Sequence, residues 1–148
     1  MTAFPETTRN KEVVRHVVEE IWNQGRLDLM STYYSPDFRN FGRALPLERF
    51  RQIIFEAWRT GFPDIHFQLE DQLAEGDQVF CHFTVSGTHL GPFVHPIQGT
   101  FPPTGKHFAV KQMHLYRFRE GKVVEHSAVR DDLEMLQQLG LLPAPRQQ

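Results

Sequence analysis

The chain has 148 residues, 40% of them hydrophobic, a length and composition that can bury a core without metal or disulfide staples. Its 16 Lys and Arg against 18 Asp and Glu leave a formal charge of −2, so no basic footprint points to nucleic acid or an acidic membrane. The lone cysteine, Cys81, has no intrachain partner and reads as a small buried hydrophobe in a reducing, cytoplasmic setting. A single domain over residues 1–148, with an ordered core over about 8–142, is expected. Neither a secretory signal nor a membrane span is expected, because no apolar run is long enough.

In chain order, Asn10 is placed to cap a helix in which Val13, Val14, Val17, Val18, Ile21 and Trp22 recur at helical spacing until Gly25. Leu27, Met30 and Tyr34 continue a shorter helical pattern that Ser35-Pro36 should break, and residues 38–41 suit a brief strand. Pro46 suits the first turn of a third helix, whose stripe of Leu47, Phe50, Ile54 and Trp58 ends at Gly61. The period then changes. Ile65, Phe67 and Leu69 alternate with polar residues as in a strand with one covered face, and Glu75-Gly76-Asp77 turns the chain into a second strand over residues 78–89.

Residues 91–105, with Pro92, Pro96, Pro102 and Pro103, read as a long loop. Two strands, about 107–118 and 122–130, flank Glu120-Gly121, and a closing helix carries Leu133, Leu136 and Leu139 with Asp131 and Glu134 as its capping box. Residues 143–148 read as a loose tail. This order predicts an α+β fold: a cone-shaped curved antiparallel sheet with N-terminal helices enclosing one pocket.

The turn at Glu120-Gly121 decides which side chains share that pocket, because a one-residue slip sends every side chain to the other face. A two-residue type I′ loop needs positive φ at Glu120 as well as Gly121, which glutamate resists. A three-residue loop ending in a G1 bulge avoids that strain. It pairs Phe118 with Lys122, Tyr116 with Val124, His114 with His126 and Gln112 with Ala128.

Several phrases, nearly end to end, carry a family resemblance: Asn10-Lys11-Glu12-Val13-Val14, Ile21-Trp22-Asn23-Gln24-Gly25, Phe62-Pro63-Asp64, Gly87-Thr88-His89-Leu90-Gly91, Pro102-Pro103-Thr104-Gly105-Lys106 and Gly121-Lys122-Val123-Val124-Glu125-His126. In them the chain resembles the SnoaL-like polyketide cyclases of the nuclear transport factor 2-like superfamily. The resemblance implies an acid/base aspartate on the last strand beside a Gln-x-His pair on the preceding one. Gln112 and His114 match the pair, but the His-Trp-Asp stretch that commonly holds the aspartate reads His126-Ser127-Ala128. Alanine exchanges no proton, so His126, Asp131 or Asp132 would have to serve instead.

Both chemical and structural readings stand for these residues. His114 is either a pocket base or donor that orients a substrate oxygen, or a buried histidine satisfied by Gln112; His126 is either its acid/base partner or a structural hydrogen-bonding group. Phe41, Trp58, Phe80 and Tyr116, with Ala128, are the candidate pocket lining, against the alternative of plain core packing. Arg130 is expected in a surface ion pair with Asp132. The many histidines form no HExxH or similar ligand motif, so no dedicated metal site is expected, and the resemblance implies no organic cofactor.

The leading expectation is therefore a cyclase- or isomerase-type enzyme that moves a proton on a carbonyl-containing cyclic or polyketide-like molecule, with His114, His126 and Gln112 as the catalytic set. The alternatives are a noncatalytic small-molecule-binding protein, or remnant cyclase, and a self-associating accessory domain. A homodimer is expected from the outer face that such sheets expose.

Overall fold

The computed structural model describes residues 5–95 and 98–143. The chain start over residues 1–4, the loop residues 96–97, Pro96 among them, and the tail over residues 144–148 lie outside that description.

Helix α1, Glu6–His16, begins behind Pro5 rather than at Asn10, which lies inside the helix and is buried. Proline serves here because its fixed φ suits a helix entry. The helix runs on as a π-helical segment, Val17–Asn23, in which Val17, Val18, Ile21 and Trp22 all become buried. Its end is tied down twice: Asn23 accepts from the Phe67 amide at 2.8 Å and donates to the Phe67 carbonyl at 3.0 Å, and Arg59 donates to the Trp22 carbonyl at 2.8 Å. The Asn23 bond pair blunts one exposed sheet edge.

After a 3₁₀ turn at Leu27–Leu29, α2 is only Met30–Tyr33, and strand β1 runs over Tyr34–Asn40. Pro36 therefore lies within a strand instead of merely ending a helix. It is tolerated because the β1 pairing is irregular between Tyr34 and Arg39, where a missing amide proton breaks no ladder bond. Strand β2 is Arg43–Ala44. The third helix is built of α3, Leu47–Phe50, a π-helical stretch Arg51–Glu56, and α4, Ala57–Gly61.

The long strands follow: β3, His66–Glu75; β4, Gln78–Thr88; β7, His107–Arg119; and β8, Lys122–Arg130. Between β4 and β7 the expected loop contains a short hairpin, β5 Phe93–His95 with β6 Gly99–Phe101. Phe93 drives it by burying its ring against Trp58 and Phe62. Helix α5, Asp132–Gln138, closes the chain, and the Asp131 carboxylate caps it by accepting from the Glu134 amide at 3.1 Å.

The main sheet has the order β2-β1-β8-β7-β4-β3. Its ladders are antiparallel except that β1 runs parallel to β8. Strict alternation in β7 turns Phe108, Val110, Gln112, His114, Tyr116 and Phe118 inward, while β4 turns Val79, Cys81, Phe83 and Val85 inward. The helices cover this inner face and complete the core.

The β7–β8 register differs from the expected one in two places. Glu120 does adopt a positive φ, +50°, beside Gly121 at +77°, so the turn has two residues and Arg119 faces Lys122. Val124 is then left unpaired as a bulge, so Tyr116 faces His126, His114 faces Ala128 and Gln112 faces Arg130. The turn moves the register by one residue and the bulge by one more. An even shift preserves the face, so Gln112, His114, His126 and Ala128 still look into the same pocket.

Candidate functional site

Three strands and two helices meet around a narrow inner pocket. Gln112 and His114 reach it from β7, His126, Ala128 and Arg130 from β8, and Asn40 from the end of β1. Trp22 and the stripe Phe50, Ile54 and Trp58 supply its apolar wall, with Phe41 at one side. The pocket shares Asn40, Phe41, Ile54 and Arg130 with a larger outer vestibule, otherwise bordered by Gln52, Ile53, Ala57 and Val94. A ligand entering through the vestibule thus crosses a mostly apolar surface, with Gln52, Asn40 and Arg130 at its border, before it reaches the imidazoles.

Those polar groups form one chain. The Nε2 atom of His114 lies 2.9 Å from Oε1 of Gln112, Nδ1 of His114 lies 2.8 Å from Nε2 of His126, and Nδ1 of His126 lies 3.1 Å from Oδ1 of Asn40. Both imidazoles are buried. The His114 ring meets Phe67 and Phe83 edge to face, the His126 ring lies near Phe50, and Tyr116 lies beside both imidazoles.

Local geometry explains the contact. Residues diagonal to one another across a ladder lie within reach of long side chains, and His126 is the diagonal neighbour of His114 because Ala128 occupies the direct position. Asn40 arrives because β1 pairs with β8 so that Asn40 faces His126, and the Phe41 amide donates to the His126 carbonyl at 2.9 Å.

Proton counting constrains the chain further. With both amide oxygens turned inward, each terminal ring nitrogen must donate. A neutral imidazole has one N–H, so the two inner nitrogens would then oppose lone pairs at 2.8 Å. Either the pair takes one extra proton, or one terminal amide turns by half a rotation and presents its NH₂. Burial pushes both histidines below the usual imidazole range, most of all by desolvation, with the Arg130 charge adding to the effect on each and His126 to that on His114. The neutral pair with one reversed amide is therefore favoured at neutral pH, and it has two polarities: Gln112 to Asn40, or Asn40 to Gln112.

Of the other candidate residues, Phe41, Trp58 and Ala128 border the pocket. Tyr116 faces inward but is sealed behind the histidines instead of lining free space. Phe80 lies on the opposite, outer face of the sheet between Leu73 and Leu115, because its neighbours Val79 and Cys81 take the inward positions. Cys81 is fully buried, and desolvation pushes its thiol up to about 12. Arg130 does pair with Asp132, at 3.1 Å, but it also packs over Trp58 at 5.4 Å and borders the cavity. Among the described residues, no group of three or more His, Cys, Asp or Glu side chains is arranged to hold a metal ion.

Asn40, Trp22, Phe50, Ile54 and Arg130 were not among the sequence candidates for the pocket. Phe50 and Ile54 belong to the same helical stripe as Trp58, so that stripe was the available signal. For Asn40 there was none, since its place depends on pairing with a strand 86 residues further along.

An α+β cone with helices across its concave side and polar groups at the pocket floor is the nuclear transport factor 2-like architecture. Residues 12–139 match the family model described as SnoaL-like polyketide cyclase, and the chain belongs to that family. It is 29% identical over 126 residues to nogalonic acid methyl ester cyclase of Streptomyces nogalater, covering 80% of this chain and 89% of the relative. It is likewise 29% identical over 133 residues to aklanonic acid methyl ester cyclase AcmA of Streptomyces galilaeus, covering 86% and 88%.

Among solved structures, a protein of Jannaschia sp. CCS1, provisionally described as a SnoaL-like polyketide cyclase, superposes with a TM-score of 0.81 at 25% identity, covering 97% of this chain and 99% of that one. AclR of Streptomyces galilaeus, provisionally described as a hydroxylase, gives 0.79 at 28% identity, covering 95% and 86%. Family members are small-molecule-processing enzymes, and no helix among the described residues is long and apolar enough to cross a membrane.

Proposed function

We propose that this chain is an acid/base enzyme of cyclase or isomerase type, acting on a carbonyl-containing cyclic or polyketide-like substrate through the His114–His126 pair. The observation that carries the reading is the 2.8 Å contact between two buried imidazoles at the floor of an otherwise apolar pocket. A neutral imidazole is ready to accept a proton, and the second ring lets the resulting charge spread over two groups.

Every nitrogen of the pair already has a partner, so a substrate must replace one terminal amide. Asn40 borders the vestibule and Gln112 does not, which favours entry at the His126 end. In the polarity that runs from Asn40 to Gln112, Nδ1 of His126 is bare once Asn40 swings away. It takes the acidic carbon-bound proton, its Nε2 proton passes to Nδ1 of His114, and Gln112 Oε1 holds the His114 Nε2–H. The substrate keeps the electron pair as an enolate, ready to attack a second carbonyl in a ring closure. Apolar walls hold the substrate near its reactive shape.

A second reading, a binding protein descended from a cyclase, is favoured by Ala128 standing opposite His114 where the family resemblance expects an aspartate. The two separate in a screen of carbonyl and polyketide-like substrates with the parent protein, His114→Ala and Ala128→Asp. Turnover by the parent that falls at least a hundredfold in His114→Ala supports the enzyme. Ligand binding without turnover in the parent, with turnover gained by Ala128→Asp, would sink it.

For assembly, the homodimer reading is supported by the apolar row Leu73, Phe80 and Leu115, which the ladders align across the outer face of β3, β4 and β7.

A further inference from the structure

Among the described residues that line the inner pocket and its vestibule, Arg130 carries the only formal charge. The remaining polar groups are neutral amides and two buried imidazoles, with no carboxylate in either lining. Arg130 also borders both spaces, so its guanidinium stands at the passage between them.

Its position is fixed. Nη2 of Arg130 donates to Oδ2 of Asp132 at 3.1 Å, its cation lies 5.4 Å from the Trp58 ring centre, and Asp132 is itself held by Nε2 of His95 at 3.1 Å. A guanidinium has five N–H donors, and this anchoring uses one of them. The Trp58 ring and the Asp132 carboxylate therefore orient a planar fork that still has donors to offer an anionic oxygen. The side chain is about a quarter exposed, so such a contact would be shielded from bulk water more than a surface pair is.

Resting on the proposed reading of this pocket, we infer that its ligands are flat apolar molecules carrying an anionic oxygen, most simply a carboxylate, anchored by Arg130. Phe41, Ile53, Ile54 and Val94 accommodate the apolar body in the vestibule, and Arg130 sets its orientation by a charge-assisted contact. This makes Arg130 the specificity-determining residue for the acid form of a ligand over its neutral ester.

The test uses 2-naphthoate and methyl 2-naphthoate, a pair that differs by a charge on the same ring system, with acetate as the charge without the ring. Binding to the full chain is read by NMR chemical-shift titration, without any need for turnover. The acid is expected to bind at least tenfold more tightly than the ester, and acetate far more weakly than either. The preference should shrink to within twofold in Arg130→Met/Asp132→Asn, which removes the cation together with its own counter-charge, and should be partly kept in Arg130→Lys.

Equal or tighter binding of the ester by the parent overturns the inference while leaving the pocket intact, and so does a preference unchanged in the double variant. If neither ring compound binds the parent into the millimolar range, the pocket reading itself falls and the inference with it. The parent ratio needs no variant, so a variant that fails to fold does not remove the test.

Discussion

His114 stands directly across the β7–β8 ladder from Ala128, and its ring meets the diagonal neighbour His126 at 2.8 Å. The pair thus exists because the direct cross-strand position is small and apolar. A carboxylate at residue 128 would compete with His126 for the His114 ring.

Ala128→Asp should therefore change both proton affinity and stability. A nearby carboxylate favours imidazolium, so His114 should titrate at a higher pH than in the parent. Where the ring stays neutral, the half-buried charge should cost about 1–3 kcal/mol. Urea midpoints near pH 8 and pH 6 should show a variant that is weaker than the parent at the higher value and closer to it at the lower. An equal deficit at both would mean that the new carboxylate does not reach His114.

The parent should lose stability on acidification. Its two pocket histidines are held below the ordinary value of 6.5 by burial, so the unfolded chain binds protons first as the pH falls. The contribution is fully present above about 6.5 and is lost as the pH falls toward the folded values. At about 1.4 kcal/mol per pH unit, the loss by pH 5 is about 2 kcal/mol for each histidine that remains neutral when folded. Chemical denaturation from pH 7.5 to 5 should show this slope, reduced in a His114→Gln/His126→Gln variant. Buried His89, also held low by desolvation, leaves a smaller slope in the variant.

Glu120 occupies a left-handed conformation, φ +50°, at the first central position of a two-residue turn. Its side chain is exposed, so replacement forfeits little native packing. Glu120→Asn should stabilise the chain by about 0.5–1 kcal/mol, because asparagine enters this region at lower cost. Thermal melts of the two proteins check it; no gain would mean that the strain is relieved elsewhere in the hairpin.

The same turn explains how a wrong pairing can leave a face correct. Turn chemistry disfavoured Glu120 at positive φ, but closing the ladder between two long strands outweighs one strained residue. The Val124 bulge then restores the parity that the shorter turn removes. Trp58 was legible from its helical stripe, and Gln112 and His114 from the turn register together with the family resemblance.

Phe80 was legible too and was misread, since an odd separation from inward Phe83 already assigns it to the outer face. Asn40 and the cavity side of Arg130 were not. The first requires the long-range parallel pairing of β1 with β8, and the second requires knowing that Trp58 lies beneath the guanidinium.

On the proposed function, His114 and His126 form one neutral, hydrogen-bonded pair whose polarity is set by Gln112 and Asn40. Long-range ¹H–¹⁵N correlation spectra of histidine-labelled protein, followed from about pH 8 to pH 5 wherever the fold persists, test it most directly. Both rings should stay neutral while the chain is folded, with one N–H in the shared contact. In Asn40→Asp the added carboxylate should raise the proton affinity of the His126 end. Either ring titrating independently near 6.5, or two neutral rings with no N–H between them, would mean that no such pair exists.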